Sequence, residues 1–369
     1  MKRLLSGNEA VARGAWEAGI AVASAYPGTP STEILEYFSR YPDVYAEWAP
    51  NEKVAVDVAV GAAYAGRRAL AAMKHVGVNV AADSVFYASM TGMEAGLVIV
   101  SADDPAMHSS QNEQDNRRYA KFARIPCVEP SDSQEAKDLV HAALDLSEQF
   151  DTPVFLRLTT RICHSSTAVE LGDAQKKAPA PDKFPRNPAK YVMVPANARK
   201  KHLVIEDRIE TLAEFAETFP FNRVEWGRMD LGIVTCGVAY EYAKEVFPDA
   251  SILRLGMTYP VPPTLVRDFA TKVKRLIILE ELDPFLEEEI RLMGIPCEGK
   301  SIFPRWGEFD PRVVRENAIQ AGLLPQSAHV PVAELDKPEI PPRPPVLCPG
   351  CPHRSVFHVL SKRRVPVAG

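Results

Sequence analysis

Two stretches of the sequence hold residue types whose spacing could do chemistry. In "LCPGCPHR", Cys348 and Cys351 form a C-x-x-C with His353 beside them, a spacing at which two thiolates can share one metal ion. The sequence ends eighteen residues after Cys351 with no second ligand pair, so the expectation is either a motif that does nothing or one whose remaining ligands are missing. In "WAPNEKVAVDVAVGAAYAG", residues 48 to 66, Glu52 directly follows Asn51, a candidate N-cap, at the head of a helix with almost no polar face beyond Asp57. Such a carboxylate is ordinarily a first-turn acid favoured by the helix dipole. At the mouth of a deeply buried helix it also suits a proton shared with a heteroaromatic ring.

Three further stretches sit where a strand pattern gives way to a helix or loop, the usual place for ligand contacts in open α/β sheets. "AYPGTPSTEI" contains Tyr26, Pro27, Gly28 and Thr29 in a stiff turn; Thr29 could simply cap the next helix with Pro30 in its first turn, while Gly28 would let a ligand approach the backbone. "MKHVG" places His75 at another strand end, where a lone histidine is more often structural. "SADDPAMHSSQNEQDNRRYAKFA", residues 101 to 123, packs polar groups densely, the pattern of a solvated connection. A fourth stretch, "GIPCEGKS" at 294 to 301, matches the phosphate-loop spelling G-x-x-x-x-G-K-[ST]. The match is rejected on physical grounds: Pro296 removes a backbone donor, Glu298 puts a negative charge in the cradle, and a helical pattern rather than a strand precedes it.

The elements that must position these residues alternate. Val11, Ala12, Ala15 and Trp16 repeat at helical spacing, with Asn8 as the expected N-cap and Gly19 as the stop, and "IAVASAY" follows as a buried strand. The runs "RRALAAMKHVG", "AGLVIVSA" and "TPVFLRLTT" are short, apolar and continuous, as expected of parallel strands covered on both faces. A doubly wound α/β domain over 1–171 results. The segment 172–227, rich in Pro, Ala and Lys at its start, reads as an extended linker, 228–324 as a second, smaller α/β domain, 325–345 with its seven prolines as another linker, and 346–369 as the start of a third domain. At 369 residues, 46% apolar and 25% charged, with net charge −5, the chain is composed like a soluble globular protein and carries no electrostatic footprint for nucleic acid. No apolar run reaches membrane-spanning length, and six scattered cysteines do not resemble a secreted disulfide framework. The expected location is cytoplasmic.

Taken together, "LLSGNEAVARGAWEAG", "AYPGTPSTEI", "NEKVAVDVAVGAAYAG", "MKHVGVN", "DDPAMHSSQNEQDNRRYAKFARIP" and "LCPGCPHR" closely resemble the alpha subunits of the indolepyruvate branch of the thiamine-diphosphate-dependent 2-oxoacid:ferredoxin oxidoreductases, over essentially the whole chain. The resemblance implies a pyrimidine-binding domain first, a transketolase-C-terminal-like domain next, then the opening of a diphosphate-binding domain at "CPGCPHR". It implies coenzyme A-dependent oxidative decarboxylation of an indolepyruvate-like aryl 2-oxoacid, with electrons passed to ferredoxin. Glu52 matches the glutamate that bonds the aminopyrimidine of thiamine diphosphate, and Thr29 matches a residue near the substrate carboxylate. His75, Tyr26, Pro27, Gly28, Gly77, His108, Ser109 and Gln111 fall where cofactor and substrate are expected. Cys348 and Cys351 would ligate a [4Fe–4S] cluster only with cysteines absent here; the motifs expected for Mg²⁺ and for the main clusters are absent too, so the chain is expected to be an N-terminal portion, inactive by itself. A small beta subunit and homodimerisation are the implied partners. Two other readings stand beside this one: a non-oxidative thiamine-dependent 2-oxoacid decarboxylase component, and a non-catalytic assembly subunit.

Overall fold

Short runs rich in Ala, Val, Leu and Ile form the central strands, and amphipathic or Ala-rich runs between them form the helices. The fold is a computed structural model that describes residues 1–175, 184, 186–330, 341, 347 and 349–367. In chain order the first part comprises β1 (Lys2–Ser6), α1 (Gly7–Glu17), β2 (Val22–Ala25), α2 (Thr32–Phe38), β3 (Tyr45–Trp48), α3 (Glu52–Tyr64), β4 (Ala69–Lys74), α4 (His75–Thr91), β5 (Leu97–Asp103), α5 (Arg117–Ala123), β6 (Cys127–Val128), α6 (Ser133–Phe150), β7 (Val154–Thr159), α7 (Thr160–His164) and β8 (Ser166–Glu170). The second comprises α8 (Pro188–Tyr191), α9 (Pro195–Ala216), β9 (Arg223–Glu225), β10 (Arg228–Cys236), α10 (Ala239–Val246), β11 (Ala250–Leu255), β12 (Met257–Tyr259), α11 (Pro263–Lys272), β13 (Leu276–Leu279), α12 (Phe285–Leu292) and α13 (Pro311–Gln320), with α14 (His353–Lys362) beyond.

A seven-stranded sheet runs β12-β6-β7-β5-β4-β2-β3, parallel except for β12 at its edge. Successive residues of each strand feed opposite cores. Leu70 and Ala72 of β4 join Val11, Ile34, Phe38 and Leu139 from α1, α2 and α6. Ala69, Ala71 and Met73 join Val56, Ala59, Val78 and Val85 from α3 and α4. Burial on both faces is why these strands are continuous apolar runs. A four-stranded sheet, β13-β10-β11-β9, and a two-stranded β1–β8 ladder complete the described sheets.

Three expectations change. The N-cap of α1 is Ser6, whose side chain accepts from Glu9 N while Glu9 returns a bond to Ser6 N; this capping box satisfies two backbone donors, and Asn8 is left to hold the next turn. The segment 172–227 is not extended throughout: α9 fills Pro195–Ala216, because the prolines stop at its first turn, where proline is tolerated, and long-chain helix formers follow. Arg208 of α9, buried, donates to the carbonyls of Asp151 and Ser89. The first and second α/β blocks are also not independent. Strand β12, from the second block, pairs antiparallel with β6, and Met1–His329 forms one unit, with Val330–Gly369 as the other. In that second unit α14 buries none of its residues. No helix among the described residues is long and apolar enough to cross a membrane.

Candidate functional site

Strand order sets the location of the site. The chain leaves β2 toward β3 on one side and leaves β4 toward β5 on the other, while β2 and β4 are neighbours. Loops that depart in opposite directions from adjacent parallel strands open a crevice at the carboxyl edge, where ligands bind in open α/β sheets. The turn after β2, residues 26–30, and the Lys74-His75 junction after β4 border this crevice, and the loops after β3, β5 and β7 supply its neighbours.

Glu52 opens α3 directly after β3. Asn51 caps that helix, its side chain accepting from Val54 N at 3.0 Å, which fixes the direction in which Glu52 emerges. The residue is only 8% exposed, and among the described residues its carboxylate accepts no hydrogen bond and pairs with no cation. Its neighbour is Gly77, in the first turn of α4. A Cβ on Gly77 would lie 2.6 Å from both Cγ and Oε1 of Glu52, well inside contact distance, so only glycine lets the carboxylate lie against this turn. Buried, unpartnered and held by a glycine cradle, the carboxylate is arranged to accept from a ligand.

The turn Tyr26–Pro30 is positioned from three sides. Gly28 N donates to Thr32 Oγ1 at 2.9 Å and Gly28 O accepts from Ser31 Oγ at 3.1 Å, closing the turn on α2. Asn8 Nδ2 donates to Pro30 O at 2.7 Å and to Glu33 Oε2 at 2.9 Å, fastening the turn to α1. A Cβ on Gly28 would sit 3.0 Å from Lys74 Cδ, so glycine admits the lysine stem across the crevice. Tyr26, Pro27 and Thr29 remain exposed.

The stretch 101–123 is a solvated loop only in its middle, around residues 107–111; the polar residues on either side of it are not solvated. Asp103, Asp104, Asp115, Asn116 and Arg117 are all buried. Asp104 accepts from Ser109 N, Ser110 Oγ and Thr160 Oγ1 at 2.8, 2.6 and 2.8 Å. Burial pushes its carboxyl up, but these three donors prevail and hold it below the usual carboxylate range. Lys74 Nζ donates to Ser109 O at 2.7 Å, and burial lowers this ammonium from the ordinary lysine range against the pull of Asp104. His75 is fully buried; its Nε2 donates to Asn112 O at 3.0 Å and its Nδ1 has no partner. The imidazole thus holds the loop in place and does not reach an open cavity. Below the loop, Arg117 joins Asp115 and Glu280, the latter at 2.7 Å, and Arg157 joins Asp103 at 2.7 Å and Glu129 at 2.5 Å. This network ties the carboxyl edge of the seven-stranded sheet to the end of β13.

Thr29, His108 and Ser109, together with Arg161, His164 and Glu308, line a cavity of about 420 Å³. His108, Ser109 and Gln111 are exposed. The sequence reading missed Lys74, Asp104, Asn116, Arg161 and Glu308. Lys74 and Asp104 were legible as polar residues at strand ends; Glu308 lies 147 residues from Arg161 and had no local signal. The phosphate-loop spelling is structural here as well: Lys300 Nζ donates to the carbonyls of Glu280 and Pro304, and Glu298 bridges to Ile277. Cys348 lies outside the described residues. Cys351 Sγ is 3.4 Å from His353 Nδ1, and among the described residues no group of three or more His, Cys, Asp or Glu could hold a metal ion.

Comparison with known proteins bears on this site. The profile of the family described as "Pyruvate flavodoxin/ferredoxin oxidoreductase, thiamine diP-bdg" matches residues 13–214. Similar curated proteins include the indolepyruvate oxidoreductase subunit IorA of Archaeoglobus fulgidus, 44% identical over 98% of this chain and 61% of its own length. That of Thermococcus kodakarensis is 44% identical over 99% of this chain and 60% of its own. The chain therefore spans about three fifths of the length of these relatives. Among solved structures, a 2-oxoglutarate:ferredoxin oxidoreductase from Magnetococcus marinus superposes with a TM-score of 0.69 at 18% identity, covering 86% of this chain and 65% of that one. A split gene transketolase superposes with a TM-score of 0.52 at 14% identity, covering 86% and 98%. At such identities the two structures bear on the fold alone. The family profile takes in the β2–β4 crevice, Glu52 and the loops around them, and it spans more than half of the sequence: the chain belongs to the pyruvate flavodoxin/ferredoxin oxidoreductase family of thiamine-diphosphate-binding proteins.

Proposed function

We propose that the chain is the alpha-subunit portion of an indolepyruvate-type, aryl pyruvate:ferredoxin oxidoreductase, and that it supplies the pyrimidine-binding half of the thiamine diphosphate site. The observation that carries this reading is the buried, unpartnered Glu52 carboxylate lying against Gly77 at the edge of the β2–β4 crevice. Thiamine diphosphate, when bound, supplies the electron sink for breaking a carbon–carbon bond beside a 2-oxo group. In the proposal Glu52 shares a proton with the ring nitrogen of the aminopyrimidine, donating it to that nitrogen and taking it back, and Gly77 leaves room for that contact. Tyr26, Pro27 and Gly28 border the ring, and Thr29, His108, Ser109 and Gln111 face the substrate. His75 acts by fixing the loop through Asn112.

Residues 228–324 are proposed as the transketolase-C-terminal-like part and 346–369 as the start of a diphosphate-binding part. The complete enzyme would be cytoplasmic, would dimerise, and would pair with a small beta subunit, coenzyme A and ferredoxin. Mg²⁺ and [4Fe–4S] clusters belong to that complete enzyme; the described residues offer them no ligand set, and no step is assigned to them. The test is reduction of a viologen dye by the complete enzyme given thiamine diphosphate, Mg²⁺, an aryl pyruvate and coenzyme A. Reduction that needs each component supports the proposal. Release of CO2 without dye reduction points to a non-oxidative decarboxylase, and failure to bind thiamine diphosphate points to an assembly subunit.

A further inference from the structure

The cavity beside the Tyr26–Pro30 turn is built around one guanidinium. Arg161 Nε and Nη2 donate to the two oxygens of Glu308, each at 2.9 Å, the forked pairing that a guanidinium makes with any carboxylate. His108 Nε2 donates to the same carboxylate at 3.2 Å. Thr29, Ser109, Thr160, His164 and Ser165 complete the wall. The Glu308 side chain is 13% exposed against 50% for Arg161, so the acid sits inside the cavity and the guanidinium at its mouth. Its backbone is placed by its neighbours: Gly307 N donates to Glu113 Oε1 at 2.9 Å, the oxygen that also takes Ala106 N, and Phe309 N donates to Glu281 at 2.8 Å. A partly exposed ion pair adds little to stability, so folding alone is a weak reason to thread one carboxylate from a distant segment into this cavity.

We propose that Arg161 and His108 form the subsite for the carboxylate of an aryl 2-oxoacid, and that Glu308 fills it as an internal stand-in which the substrate carboxylate displaces. This rests on the functional reading above only for the identity of the acid. Displacement has a measurable consequence: an incoming carboxylate competes with Glu308 for the same guanidinium fork, so removing the internal charge strengthens binding and removing the fork abolishes it.

The experiment is isothermal titration of the 369-residue chain with phenylpyruvate, with the neutral methyl ester of phenylpyruvate as the control ligand. Glu308→Gln keeps the side-chain size and is expected to bind the acid about tenfold more tightly than the wild type, the scale of one charge-assisted hydrogen bond. Glu308→Asp, which retains the charge but shortens the reach, is expected to tighten binding less and serves if the amide variant fails to fold. Arg161→Gln should lose the response in either background, and the ester should not distinguish the variants. Equal affinity in wild type and both Glu308 variants, retention of binding in Arg161→Gln, or no binding of the acid by any variant overturns the proposal. Thiamine diphosphate titrated into the same samples separates the two claims: cofactor binding without an acid response removes the subsite alone, and an acid response without cofactor binding removes the enzyme reading alone.

Discussion

Gly77→Ala separates stability from function at the site more cleanly than any other single change. In a helix, alanine is favoured over glycine by about 0.8 to 1 kcal/mol. Opposing this, the new Cβ would stand 2.6 Å from Glu52 Cγ and Oε1 and 2.9 Å from Cδ. All three atoms belong to one flexible side chain, so the glutamate yields and the backbone stays; an off-rotamer side chain costs about 0.5 to 1.5 kcal/mol. The two terms nearly cancel, and the net change should stay within about 1 kcal/mol, a melting shift of no more than about 4 °C for a chain of this size. The function should not survive. Restoring an ordinary contact of 3.4 Å from 2.6 Å moves the carboxylate by about 0.8 Å, and a misplacement near 1 Å can cost about a hundredfold in rate. Dye reduction by the complete enzyme and a thermal melt of the same sample are the assays. Turnover within twofold of wild type, or destabilisation above about 3 kcal/mol, would show that the Glu52–Gly77 contact is not what the site depends on.

Arg117→Met leaves Asp115 and Glu280 buried without their shared cation and should lower stability by about 3 to 5 kcal/mol, read from the urea midpoint; a loss below about 1 kcal/mol would mean water enters the network. Burial pushes the Glu281 carboxyl up to about 7. Since the folded state holds this proton more tightly than the unfolded chain, the stability it contributes is full below about pH 4.5 and is lost as pH rises through 7. Glu281→Gln should therefore be more stable than wild type at pH 8, by up to about 3 kcal/mol, with the difference vanishing near pH 4; a difference independent of pH contradicts that origin.

The central strands were readable from the sequence because β4, β5 and β7 are short apolar runs, although the cap of α1 falls on Ser6 and not on Asn8. The Glu52 helix was legible to the residue, since Asn51 caps it as expected. What misled was polarity taken for exposure. Asp103, Asp115 and Arg117 look like a solvated loop in one dimension, yet they are buried in ion pairs, Asp115 with Arg117 and Asp103 with Arg157 of β7, and the further partners Glu129 and Glu280 arrive from the ends of β6 and β13. Residues 172–227 misled in the opposite way: prolines at 179–195 suggested an extended chain, although proline in a first turn permits the helix that follows. The cavity around Arg161 escaped because Glu308 reaches it from the second sheet's side of the chain, a pairing with no local sequence signal.

Glu52 is the proposed proton partner of the aminopyrimidine ring, and Glu52→Gln in the complete enzyme is the decisive substitution. The substitution is isosteric at a helix start where the carboxylate has no protein partner among the described residues, so packing changes little. The melting temperature should stay unchanged within about 2 °C and dye reduction should slow at least about a hundredfold, the scale of losing a proton-transfer group. A residue that serves only the helix dipole would instead cost about 0.3 to 1 kcal/mol of stability on neutralisation. Near-normal turnover with a lowered melting temperature would show that Glu52 serves the helix and not the cofactor.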